Sequence, residues 1–278
     1  MAFRLNDVNF SHALLYLRNS QKTLAESLDR MSSGKSITKA ADDAAGMSIA
    51  NSLESQTRGL GQSMRNATDA IGIAQVADGV MGKSAEIIMS IREKSLQAAN
   101  DSQTSQTRQS LQSDINKALA ELRDISGNAS YNGQKLLSGE FSSRSIQVGG
   151  SSGETVEMNI GNASPAVLGN AYGKLADINV LNPEDAQQAV SVTDSALAGI
   201  NSMRNELGST QNQLTTTINN LSLTQVNVAS AQSQVADVDF AEESINFARM
   251  KSLEKAGTFA ASQIGKMNRQ TMSDLLQG

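Results

Sequence analysis

Residues 149–153, Gly149-Gly150-Ser151-Ser152-Gly153, match the G-x-S-x-G pattern in which a serine on a tight turn attacks an acyl carbon. That chemistry needs a strand-to-helix elbow beneath the serine and an imidazole to take its proton. The sequence offers neither. The segments on both sides of the motif alternate apolar and polar residues, as hairpin strands do, and the one histidine, His12, lies far upstream on the polar side of a helical pattern. Asp42-Asp43 is a second candidate, an adjacent carboxylate pair that could share a proton or a metal. No histidine or third carboxylate stands close to it in sequence. At the head of a following helix, two carboxylates suit the cap and first turn, where free backbone N–H groups meet negative charge. With no phosphate loop, dinucleotide fingerprint or paired-histidine metal motif either, the sequence reads as a protein that is not an enzyme and needs no cofactor or metal.

The elements around these residues are mostly helical. Phe10, Leu14, Leu17, Gln21, Leu24, Leu28 and Met31 step by four and three with only Gln21 polar, which predicts one helix ending near Ser33-Gly34 and a connector from Gly34 to Asp43. A second helix is expected from about Ala45 to Ala99 through Leu53, Leu60, Met64, Ile71, Met81 and Ile88. Its interior glycines, among them Gly59, Gly61 and Gly72, each cost about 1 kcal/mol in a helix and imply close approach or bending. A third helix, near Ser105–Ile125, is marked by Leu111, Ile115 and Leu122. Asn132-Gly133 is a turn signal, and Ser145–Val148 with Thr155–Ile160 forms the predicted hairpin around Gly149–Gly153. After a loop through Pro165, Asn182-Pro183 opens the most regular arm, with Ile200, Leu207, Leu214, Leu221, Val228 and Val235 at unbroken spacings of seven.

Of six phenylalanines, five lie near the ends: Phe3, Phe10, Phe240, Phe247 and Phe259. Within the first and second pairs the spacing is again seven, the seam of a helix that packs along other helices. Ile264, Met267 and Tyr16 add apolar surface to the same ends. The apolar side chains of one seam do not offset the backbone entropy of ordering some thirty residues, so an end segment should be marginal alone and helical once it gains a partner surface. The nearest partner is the other end of the chain. The fold class expected is therefore mainly α, a long antiparallel helical coiled-coil rod with a small β-hairpin region. A self-contained helical bundle is the plainer alternative.

Composition agrees. Aromatic residues make up 3% of 278, tryptophan is absent, and a 39% hydrophobic content rich in small side chains suits close helix packing. The net charge of −5 carries no basic block, which argues against nucleic acid, and no apolar window approaches the roughly 18 residues of a membrane span. The start lacks the apolar run of a signal peptide, so export, if any, is expected by another route. Absence of cysteine removes disulfides and thiol chemistry.

Residues 28–53, Leu-Asp-Arg-Met-Ser-Ser-Gly-Lys-Ser-Ile-Thr-Lys-Ala-Ala-Asp-Asp-Ala-Ala-Gly-Met-Ser-Ile-Ala-Asn-Ser-Leu, closely resemble the N-terminal signature of bacterial flagellins. So do Arg92-Glu93, Gln97–Asn100 and Tyr131–Leu137, while Ser233–Glu243 and Asp274-Leu275-Leu276 are similar to the family's C-terminal helix. The resemblance implies a subunit of the flagellar filament, exported unfolded through the flagellar type III apparatus with an export chaperone. It would be secreted, assembled extracellularly as a homopolymer beneath a cap, and joined to hook-associated junction proteins. It implies an axial core domain from residues 1–42 and 237–278, packed through Phe3, Phe10, Leu14, Leu17, Leu24, Leu28, Met31, Phe240, Phe247, Phe259, Ile264 and Met267. An inner rod domain would take residues 43–182, with the hairpin near 145–160, and the helix 183–236. Its packing residues would be Leu53, Leu60, Met64, Ile71, Leu111, Ile115, Leu122, Ile200, Leu207, Leu214, Leu221 and Val228. Only about residues 162–182 stand where many flagellins carry large outer domains. Flagellins sensed by the vertebrate Toll-like receptor carry an arginine, a leucine and a glutamate at the positions of Ser90, Lys94 and Asp114, so recognition by that receptor is expected to be weak. A hook-filament junction protein of the same export system, or a secreted coiled-coil adhesin, are the alternatives.

Overall fold

The computed structural model describes the backbone of residues 2–277 and the side chains of 11–267, 269, 270 and 273. Five helices carry most of the chain: α1 (Ala2–Ser33), α2 (Ala44–Ala98), α3 (Ser105–Asn128), α4 (Pro183–Ala236) and α5 (Phe240–Gln277). Between α3 and α4 lie three antiparallel strand pairs, β1–β2 (Ser130–Tyr131 with Gln134–Lys135), β3–β4 (Arg144–Gln147 with Thr155–Met158) and β5–β6 (Gly169–Asn170 with Gly173–Lys174). The chain divides into two compact units, Arg58–Val226 and Met1–Thr57 with Asn227–Gly278. Helices α2 and α4 each contribute to both.

The Arg58–Val226 unit owns the core. On α2 the small residues Ala67, Ala70, Ala74 and Ala77 recur every three or four positions with at most 1% exposure, and Met81, Ile88 and Ile91 continue the stripe fully buried. On α4 the heptad ladder Ile200, Leu207 and Leu214 is buried to the same degree. The salt bridge from Arg204 Nε to Asp78 Oδ1 at 2.7 Å and that between Arg92 and Asp194 set α2 and α4 antiparallel. All twelve of the largest fully buried side chains belong to this unit. Burial of such side chains, roughly 1.5–3 kcal/mol each, places most of the chain's apolar stabilisation in this unit. Arg108 fastens α3, donating from Nε to the Ala98 carbonyl at 2.9 Å and from a terminal nitrogen to the Asn100 carbonyl at 3.1 Å.

The strand pairs lie against this helical frame. Asn132 and Gly133 both have positive φ, 48° and 79°, which makes the β1–β2 connection a two-residue type I′ turn. The β3–β4 hairpin rests on α2, where Ser63 Oγ donates to the Gly149 carbonyl at 2.8 Å and Asn66 Nδ2 to the Gln147 carbonyl at 3.1 Å. Residues read from sequence as an open loop hold the β5–β6 pair and a single 3-10 turn at Leu175–Asp177. Gly169 in β5 has no room for a side chain: a Cβ there would lie 2.2 Å from the Gly173 carbonyl oxygen and 2.8 Å from the Lys174 Cα.

The unit of the two chain ends is built differently. Helices α1 and α5 run antiparallel: a Cβ at Gly257 would touch Leu17, Thr23 Oγ1 contacts Met250 Sδ, and Arg30 meets Glu243, each advance along α1 matched by a nearly equal retreat along α5. The breaks that separate α1 from α2 and α4 from α5 stand side by side. There Lys35 and Asp237 form an antiparallel β-bridge, with Ser36 N donating to the Ala236 carbonyl at 2.7 Å and Val238 N to the Gly34 carbonyl at 3.0 Å. Gly34 turns into this bridge at φ 69°, and Asp239 caps α5 by accepting from Ala241 N at 2.9 Å.

Candidate functional site

The serine motif and the carboxylate pair both take structural roles. Ser151 stands in the turn joining β3 to β4, where its N–H donates to Glu154 Oε2 at 3.0 Å, so no strand-to-helix elbow presents its hydroxyl. Asp43 Oδ1 accepts from Ala45 N and Gly46 N at 3.0 and 2.9 Å, the cap of α2. Asp42 Oδ2 accepts from the N–H groups of Thr38 and Lys39 and from the Thr38 hydroxyl, and these bonds, the Lys39 N–H first, hold its carboxyl below the usual range. Among the described residues no group of three or more His, Cys, Asp or Glu is placed to hold a metal ion.

What remains is surface. In the unit of the two ends, the buried residues among those described are Ser27, Gly46, Ala236 and Glu243, with no large apolar side chain among them. Leu14, Leu17, Leu24, Met31, Leu53, Val228, Phe247 and Ile264 are half-buried. Leu28, Phe240, Phe259 and Met267 stand more than half exposed, as do Tyr16, Leu15 and Ile245, which the sequence pattern had not singled out as seam residues. The packing assigned by sequence to Phe3 and Phe10 lies outside the described residues. In the other unit Leu60, Leu111, Ile115, Leu122, Ile200, Leu207, Leu214 and Leu221 are buried and Met64 and Ile71 half-buried. Ser90 and Lys94 are half-buried on α2, and Asp114 is exposed on α3 with Lys117 at 3.2 Å.

On α1 small residues share the covered face with the leucines. Ala13, Leu14, Leu17, Ser20, Leu24, Ser27 and Met31 are buried or half-buried along α1, while Gln21 and Leu28 are exposed. Small side chains let the helix axes approach, and Gly257 on α5 meets Leu17 at such a point.

Glu243 is the buried charge of this seam. Arg30 donates to its Oε1 at 2.9 Å, and that bond holds the carboxyl below its ordinary value against the opposing effect of burial. Neither residue carries an apolar signal. The Asp239…Glu242 spacing, a carboxylate cap followed three residues later by glutamate, does mark the start of α5 in the sequence.

The described residues thus form one helical unit with an apolar core and a pair of terminal helices whose described side chains bury little. Two family profiles match: the bacterial flagellin N-terminal helical region over residues 6–142 and the bacterial flagellin C-terminal helical region over residues 190–276. The chain belongs to the bacterial flagellin family. It is 46% identical to Flagellin B of Helicobacter pylori over 173 residues, 61% of this chain and 33% of that one. With Flagellin B of Vibrio anguillarum it shares 40% over 195 residues, 68% of this chain and 51% of the relative. The matches thus span between about a third and a half of these relatives' length. In fold it is similar to a structure assigned to a flagellar hook-associated protein of Vibrio parahaemolyticus, with a TM-score of 0.62 at 17% identity over 70% of this chain and all of that one. The crystal structure of Bacillus cereus flagellin superposes with a TM-score of 0.50 at 24% identity, over 60% of this chain and 94% of that one.

Proposed function

We propose that this protein is the structural subunit of a bacterial flagellar filament, a secreted homopolymer that serves swimming motility. The observation that carries the reading is the uncovered apolar surface of the terminal helix pair. Phe259 at 71%, Tyr16 at 73% and Ile245 at 63% exposure are costly in an isolated chain and become favourable when neighbouring copies cover them. Family membership supports the same reading. Residues 1–42 and 237–278 then act as the axial core, residues 43–236 as the inner rod, and Leu28, Phe240 and Phe259 pack against other copies. The partners that go with this role are the filament cap, the hook-associated junction proteins, an export chaperone and the type III export apparatus.

Negative-stain microscopy after addition of filament seeds tests it, with the intact chain beside one limited to residues 43–236. Long helical filaments from the intact chain alone are expected, with the shortened chain remaining folded and soluble. Short rings, or a chain that stays monomeric while binding hook and filament neighbours, would instead assign it to the junction. Ser90, Lys94 and Asp114 support weak activation of the vertebrate Toll-like receptor, because a serine hydroxyl cannot supply the planar five-donor group of arginine. A reporter-cell assay with monomer checks this, and strong signalling at low concentration would refute it.

A further inference from the structure

Asn132 is followed by Gly133, and no other asparagine in the chain has glycine after it. A backbone nitrogen can attack the carboxamide of the asparagine before it, and glycine is the residue that leaves that nitrogen least crowded. Both residues are exposed, and a Cβ at Gly133 would meet nothing within 4 Å. Among the described residues, neither the Asn132 carboxamide nor the Gly133 N–H has a hydrogen-bond partner. The turn itself keeps the two groups apart. Ring closure requires the Gly133 nitrogen to eclipse the Asn132 Cβ about the Cα–C bond, which for an L residue means ψ of about −120°. The positive φ values of 48° and 79° put these residues in a type I′ turn, where ψ of the first is about +30° and the nitrogen stands on the far side from the side chain.

We infer that Asn132 is a deamidation site, closed by the folded β1–β2 turn and opened when the chain unfolds. The deprotonated Gly133 nitrogen forms a bond to Asn132 Cγ, the Cγ–Nδ2 bond breaks, and ammonia leaves. Water then adds to one of the two carbonyls of the succinimide ring, giving aspartate by one cleavage and isoaspartate by the other. The products differ in what they allow. Aspartate keeps the length of the backbone and tolerates positive φ, so it fits the turn again. Isoaspartate routes the chain through the side-chain carbon and adds a backbone atom to a two-residue loop, whose register sets Tyr131 opposite Gln134 and Ser130 opposite Lys135. Next in the chain stand Leu136 and Leu137, both fully buried in the core, with Leu136 N donating to the Ala129 carbonyl at 3.0 Å. The lengthened loop displaces these two anchors, so a chain carrying isoaspartate is kept from the native fold of the Arg58–Val226 unit. The modification marks chains that have spent time unfolded.

The test is peptide mass mapping of the full chain held at one mildly alkaline pH, native in buffer or unfolded in guanidinium chloride. In guanidinium Asn132 should convert ahead of every other asparagine, and in buffer at least about tenfold more slowly, since the reaction waits for the turn to open. Gly133→Val, compared in guanidinium where no fold is needed, should lose most of the conversion, because a β-branched side chain crowds the nitrogen. Chain aged in guanidinium and returned to buffer separates the products. The aspartate form is expected in the folded monomer peak, and the isoaspartate form, marked by enzymatic methyl transfer to its free α-carboxyl, outside it. Equal rates in buffer and guanidinium, or no lead of Asn132 over the other asparagines in guanidinium, overturns the site. Equal recovery of both products in the folded peak overturns the block to folding.

Discussion

Arg30 and Glu243 join the last turn of α1 to the first turn of α5 through a 2.9 Å bond, and each charge sits at the helix end whose dipole favours it. The glutamate side chain is 9% exposed and the arginine 28%, so the pair is enclosed from the carboxylate side. It is an ion pair between facing turns of the two terminal helices.

Arg30→Ala should therefore cost the terminal unit roughly 3 kcal/mol, because it leaves a carboxylate with little access to water. Glu243→Gln should cost less, since the amide still accepts a hydrogen bond and the remaining guanidinium is better hydrated. Hydrogen exchange of α5 amides reads the difference; equal protection in both variants and the parent would contradict the role given to the pair.

The same bond makes the terminal unit acid-sensitive. Glu243 has its carboxyl held below the ordinary value of 4.5, so its contribution is complete above that pH and disappears as pH falls through the lower folded value. Asp42, lowered by the Lys39 and Thr38 N–H groups, acts in the same direction below its ordinary 3.8. Acid titration followed by circular dichroism should show terminal helicity lost below about pH 4.5, with a smaller acid step in Arg30→Ala.

The helix register can be locked covalently. A Cβ at position 257 would lie 3.9 Å from the Leu17 Cβ, inside the range a disulfide spans, and the chain has no cysteine to compete. Leu17→Cys with Gly257→Cys should oxidise within one chain, seen as faster migration on a non-reducing gel. Free thiols under mild oxidant would mean that another register prevails.

Gly169→Ala places a methyl against the backbone of Gly173 and Lys174, which cannot rotate away as a side chain can. We expect a loss of about 1–3 kcal/mol, read as a lower urea midpoint of the Arg58–Val226 unit. Gly79→Ala, where nothing lies within 4 Å of the added carbon and a helix gains from alanine, should be neutral or stabilising.

The sequence alone determined the long helices, the β3–β4 hairpin and the turn at Asn132-Gly133, and argued against a serine-nucleophile elbow. These depend on local periodicity and on turn residues with few alternatives, as in the heptads from Ile200 to Leu221. Tertiary structure decided what local patterns leave degenerate. Gln21 and Leu28 fit the helical spacing yet are exposed, while Ser20 and Ser27 are covered, and the approach of α5 decides which. The Arg30–Glu243 pair and the Lys35–Asp237 bridge join residues some two hundred positions apart, whose polar side chains carry no periodic signal. The contrast in burial between the two units, among the described residues, likewise depends on tertiary structure, because burial depends on which surfaces meet and not on how apolar each stretch is.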